Sequence, residues 1–350
     1  MALFSLSITV GGVSLAYFTD VTVKRSQDGF GFGGLVTTQL SFSTTKSAWE
    51  AVGTYAMAKV IVSGVSGLPS SFFIDNRTAS DGKVTVTALD RMAFTDTAFP
   101  YDSLGGTSEK VQLSSVLQLI CSTCGFDGYS FNDINGIYQS YYLRSKCEGI
   151  SCSEILTDIA KNEIGSWCVI DNELVLYYFR NGAGSVSVEK HTAVNAGLDY
   201  TIAGVRYTDN EGNSYDVGNT AYSYNTIQVE SEYATAQAAA AAYGRCNGTY
   251  PVISVSKAFI DNSVVPAVPY YVAFKQTEER YYIHSVTAKI GAFGVICEFS
   301  TNNPLTSEIG MRGKLTRAVA GKVSLNSKMG CQKITPYQGT VYVDEETEES

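Results

Sequence analysis

The chain has 350 residues, enough for two or three domains with separate cores. Hydrophobic residues make up 45% and charged residues 17%, a balance that excludes a disordered chain. A net charge of −9 argues against a nucleic-acid surface, which needs a basic stripe, and no run of about 18 apolar residues exists to span a bilayer.

Residues 1–10 lack a basic leader region and alternate like a strand, so no signal peptide is expected. Synthesis in a cytosol follows as an expectation, and with it eight reduced cysteines. Period-2 patterning predicts strands over 4–10, 13–15, 21–23, 35–42 and 58–62, with a turn at Gly11-Gly12. Strands at 72–74 and 83–87 flank Asp81-Gly82, a hairpin pair that tolerates positive φ. Many short strands with glycine turns predict a barrel-like β domain over 1-102, ending in the loop around Pro100 and Gly105. Gly29-Phe-Gly31-Phe-Gly-Gly34 matches G-x-G-x-x-G, but a strand follows where a dinucleotide site needs a helix. A glycine-rich loop is the better reading.

Residues 103-182 read as a small α/β module of two helices and a hairpin. Leu113, Val116, Leu117 and Ile120 give one apolar helical face, with Ser114 as the candidate cap. Ser151-Cys-Ser-Glu154 has the form of a capping box, and Cys152, Ile155, Leu156, Ile159 and Ala160 form the next stripe. Gly165 is the expected stop. Strands over 167–170 and 174–179 then join across Asp171-Asn172.

A glycine-rich loop at 181–184 opens a second β domain, 183-303. Strands are expected at 200–202, 205–207, 226–229, 252–255, 270–274, 281–286 and 294–299. Between them, 235–243 is an alanine-rich helix capped by Thr235, with Gly244 at its end. Residues 304-350 read as an extended arm with an acidic tail, 344–349. The fold class is α+β, mostly β: two barrel-like β domains flanking a small α/β module.

No catalytic or cofactor-binding residue emerges. His191 and His284 accompany no nucleophile elbow or paired Cys/His signature. Glu278 and Glu279 adjoin Arg280 in a predicted turn, a solvated tip rather than a carboxylate dyad. Cys121, Cys124, Cys147 and Cys152 supply the donors of a structural zinc site. Cys121 and Cys152 nonetheless lie on the apolar stripes of their helices, where cysteine packs as a small hydrophobe, so core thiols are the favoured reading.

The order of parts is the most specific signal. A β domain ending in 84–92 leads to a Ser-Val-Leu-Gln-Leu-Ile helix that stops at Cys124-Gly-Phe126, then to 153–160 and 167–176, and later to 226–229 and the alanine-rich helix. Over residues 1–300 this pattern resembles the tail hub, or baseplate hub, proteins of tailed bacteriophages and related contractile injection systems. One departure is 264–269, where members often carry a Pro-Gly-Asp turn. The resemblance implies a non-enzymatic virion protein assembled in the bacterial cytoplasm. It implies a homotrimer whose two β domains per chain give six modules. Such a ring adapts the hexameric tail tube or distal tail protein to a trimeric central spike or fibre, with the tape measure protein as a further partner. The alternatives are a distal-tail adaptor or receptor-binding tail-tip module, and a tail-associated cell-wall hydrolase.

Overall fold

The computed structural model describes residues 6–26, 34–52, 58–179, 185–188, 193–196, 199–260, 265–266, 270–274, 279–291, 294–301 and 305. The loop 29–33, His191, Glu278, 264 and 267–269, and all but Leu305 of the arm lie outside them.

The chain is mostly β, with four α-helices among the described residues: α1 (Lys46–Val52), α2 (Leu113–Cys124), α3 (Cys152–Glu163) and α4 (Ala236–Cys246). The largest sheet is antiparallel throughout. From one edge its strands are Ala193–Ala196, Ile253–Ile260, Gly294–Ser300, Ser285–Gly291, Thr19–Ser26, Thr38–Thr45, Lys83–Leu89, Phe72–Ser80, Lys59–Ser63, Ser7–Val10 and Val13–Ser14. Period-2 alternation explains its buried face: Val21 and Val23, Leu40 and Phe42, Val84 and Val86, and Val286 and Ala288 all lie inside. The tight turns behave as expected, with Gly11, Gly12, Asp81 and Gly82 all at positive φ.

Barrel closure is the expectation that the described pairings do not meet. The edge of Thr19–Ser26 that a closed N-terminal barrel would use pairs instead with Ser285–Gly291, in the register Val23↔Ala288. Early and late strands thus continue one open sheet, each filling the edge the other leaves.

The stretch 35–42 does not form one strand. It divides at Thr37 into Gly34–Val36 and Thr38–Thr45, which belong to different sheets. Gly34–Val36 runs parallel to Gly165–Ile170, which is followed by its hairpin partner Glu173–Tyr178 and then Gly128–Ser130. Asp171 and Asn172 make the hairpin turn at φ 49° and 72°.

α2 and α3 bury the stripes that their periodicity predicts. Val116, Leu117, Ile120, Ile155, Leu156 and Ile159 are fully buried, beside Trp167, whose indole N–H donates to Leu156 O at 2.8 Å. The caps differ in part from expectation. Ser151 does cap α3, accepting from the Glu154 N–H at 3.3 Å, and Thr235 caps α4 through Ala238 N–H at 3.1 Å. Ser114 lies inside the first turn of α2 and Gly244 inside α4. α3 ends on Ile164 in the left-handed region, so Gly165 already begins the next strand. There Tyr177 O would lie 2.7 Å from a Cβ, so close strand packing is what requires glycine.

Ser214–Gly218, Gly204–Thr208 and Thr226–Glu230 make a smaller sheet on which α4 lies. Ala238, Ala239 and Ala242 are fully buried at that contact, where larger side chains would hold the helix away. Two hydrophobic cores result. One joins the α/β module to residues of the 200–250 segment and α4; the other belongs to the large sheet.

Candidate functional site: buried polar joints and a thiol cluster

The two cores meet where the chain changes sheets, and the joint is polar. Asp90 is fully buried, and its carboxylate accepts the Thr38 N–H at 2.7 Å and the Met92 N–H at 3.0 Å. Arg25, 1% exposed, donates from Nε to Thr38 Oγ1 at 3.2 Å and from Nη1 to Pro266 O at 3.0 Å. Burial pushes Asp90 up to about 6, against the opposing pull of these hydrogen bonds and the Arg25 charge.

A second joint ties α3 to α4 and to the Gly204–Thr208 strand. Arg245 of α4 donates to Phe179 O at 3.0 Å, and to Asn135 Oδ1 and Glu163 O at 2.9 Å each. Tyr207 Oη donates to Asn162 O at 2.6 Å, and Asn162 Nδ2 to Tyr138 Oη at 2.9 Å. Glu163 is fully buried; its Oε2 accepts the Asn135 N–H at 3.3 Å. Its Oε1 receives no hydrogen bond, and the Asp133 carboxylate is its neighbour. The pair is satisfied when Glu163 holds a proton and donates it to Asp133. Burial and the Asp133 contact accordingly raise Glu163 to about 9. Asp133 in turn accepts N–H bonds from Ile137, Tyr138 and Gln139 at 2.6, 2.9 and 2.8 Å, which fold the 133–139 loop around it.

Of the four cysteines considered as zinc ligands, Cys121 and Cys124 lie in the last turn of α2 and Cys152 opens α3. Cys147 instead donates to Leu143 O at 3.7 Å. All four are buried and none is bridged. Among the described residues no group of three or more His, Cys, Asp or Glu is placed to hold a metal.

His284 is buried, stacked on Phe179 with ring centroids 5.9 Å apart, and burial holds its pKa down near 4. Neither polar joint is flagged by sequence motifs. Their only signal is a polar residue in a buried register, such as Arg25 two places after Val23, or Glu163 at the end of an apolar helix. The joints fasten one element to another.

No protein-family model matches the sequence, and no curated protein does. Solved structures do. The 43 kDa tail protein of prophage MuSo2 from Shewanella oneidensis is similar over 85% of this chain and 98% of its own, with a TM-score of 0.54 and 14% identity. Prophage tail protein gp18 from Listeria monocytogenes is similar over 89% and 98%, with a TM-score of 0.55 and 12% identity. The tail protein of Neisseria meningitidis MC58 is similar over 85% and 95%, with a TM-score of 0.54 and 10% identity. This chain has the fold of phage tail proteins. Each match runs through nearly the whole of the other chain and at least 85% of this one. At 10–14% identity the resemblance lies in topology rather than in any side chain.

Proposed function

We propose that this chain is a structural component of a bacteriophage or prophage tail: a trimeric hub joining the tail tube, or a distal tail protein, to the central spike or fibre. The observation that carries the reading is the near full-length fold match to three tail proteins. In this reading 1-102, 103-182 and 183-303, with 304-350 as an assembly arm, are segments of the chain rather than separate cores, since 200–250 packs with the α/β module and the later strands join the large sheet. Each chain offers early and late strands lying side by side, so three chains present six such β units to a six-fold tube. Rings of this kind need heterologous contacts, one face of a subunit meeting a different face of the next. The sheet edges at Val13–Ser14 and Ala193–Ala196 suit such contacts, because an edge strand carries unsatisfied backbone groups. The protein acts without catalysis, in a virion tail assembled in the host cytoplasm, with the tape measure protein as a further partner.

The test is copy number in assembled particles carrying this chain with a C-terminal tag. Three copies per tail at the tube–spike junction are expected. Six copies, a single copy, or location at a receptor-binding tip would overturn the hub reading.

A further inference from the structure

Along one row of the large sheet's outward face, polar side chains give way to apolar ones. In cross-strand register the row reads Thr87, Ser41, Thr22, Lys289, Ile296 and Phe259. Alternation expects polar groups on a face turned to water. Ile296 is nonetheless 41% exposed between the buried Val295 and Cys297, and Phe259 beside it is half-buried. Both line an open cleft of about 380 Å³, together with Val21, Ile290, Asp20 and Lys289. Asp20 is engaged by Lys83, with Nζ 3.1 Å from Oδ2. Lys289 is exposed and makes no ion pair among the described residues. Glu298 stands one row away, opposite Thr287, with Lys24 on that residue's other side. The cleft thus sets apolar area beside an unpaired ammonium group. Its complement is an apolar side chain followed closely by carboxylates.

We propose that this cleft is the docking site for residues 341–346 of the same chain, with Tyr342 filling its apolar end and the carboxylates of 344–346 meeting Lys289. The acidic terminus thereby has its partner on its own body.

Sequence and reach select this occupant. Val341-Tyr-Val343 runs directly into Asp344-Glu-Glu346, the order of groups that the cleft requires. Most other apolar groups of 306–350 adjoin basic residues instead, as in Lys314-Leu315, Lys322-Val-Ser-Leu325 and Lys333-Ile334. Beside Lys289 those would bring like charges together. Thr340 follows Leu305, the last described residue, by 35 positions, a span of at most about 120 Å when extended. A folded body of this size has a radius of gyration of about 20 Å, so the tip can reach the cleft of its own chain. Tethering also raises its local concentration far above that of a second copy in dilute solution. The proposal does not depend on the role in a tail.

The test treats the dilute full-length chain with a carbodiimide, which joins contacting carboxylates and lysines directly, then maps tryptic peptides by mass spectrometry. Peptide 334–350 joined through Lys289 to peptide 281–312 is expected as the dominant link of the tail. An equal mixture of isotope-labelled and unlabelled chain separates the two geometries. Links within one isotope class mean docking on the same chain, and mixed links mean exchange between copies. Ile296→Ser changes an exposed position, leaves Lys289 in place, and should cut the Lys289 link about tenfold, as loss of the isoleucine contact implies. The isotope and site pattern of the parent chain decides the case even if that variant folds poorly. Tail links spread evenly over many lysines, mixed-isotope links, or a folded Ile296→Ser chain linking as well as the parent would each overturn the proposal.

Discussion

Asp90 accepts the Thr38 N–H at 2.7 Å, and its own N–H returns to Thr38 O at 3.0 Å, across 52 positions of sequence. This reciprocal pair sits just after Thr37, where the chain leaves the sheet of the α/β module and enters the large sheet. The strand switch needs the carboxylate, since two buried N–H groups, of Thr38 and Met92, depend on it.

Asp90→Ala should therefore destabilise the fold by about 3 kcal/mol, the range for stranding buried donors that were bonded to a carboxylate. Asp90→Asn keeps an acceptor and should lose less. Urea denaturation at neutral pH measures both. A loss under about 1 kcal/mol for the alanine variant would show that water or a repacked loop replaces the carboxylate.

Glu163 predicts a pH profile. Its folded pKa, about 9, stands above the ordinary 4.5, so the folded state binds more protons between those values. Its contribution to stability is whole below pH 4.5 and is lost as pH rises towards 9. Asp90 acts in the same sense between 3.8 and about 6. Glu163→Gln should flatten the decline above pH 6, where one proton accounts for at most about 1.4 kcal/mol per pH unit. Denaturation midpoints of parent and variant across pH 6 to 9 test this; parallel curves would exclude a protonated Glu163.

His284 predicts the opposite dependence. Its folded pKa, about 4, lies below the ordinary 6.5, so the unfolded chain takes up the extra proton as pH falls. Its contribution is lost between pH 6.5 and 4. In His284→Gln, which cannot charge, the gap to the parent should narrow as the pH falls through that window. A constant gap in thermal midpoint would show that His284 does not titrate there.

Gly218 and Gly212 provide a matched pair. Both have positive φ, 83° and 86°, but a Cβ at Gly218 would lie 2.4 Å from the Tyr243 ring and 2.5 Å from Ala203 O. Gly212 has nothing within 4 Å. Gly218→Ala should cost about 3 kcal/mol, strain plus overpacking under α4, and Gly212→Ala about 1 kcal/mol, strain alone. Equal losses by thermal denaturation would mean that α4 moves aside freely.

The sequence by itself determined what is local. The apolar stripes of α2 and α3, the caps at Ser151 and Thr235, and the turns at Gly11-Gly12, Asp81-Gly82 and Asp171-Asn172 all depend on residues within a few positions of one another. The order of these elements also suffices to point to phage tail proteins. Tertiary structure alone decided which edges meet. Nothing in the alternation of 35–42 tells that it changes sheets at Thr37, because both halves keep a strand pattern. Nor does 21–26 declare that its neighbour is Ser285–Gly291, since any antiparallel strand with matching burial could pair with it. The polar joints stayed hidden for the same reason. Arg25, Asp90, Glu163 and Arg245 read as ordinary charges until long-range packing removes their water and leaves each to find its partner inside the protein.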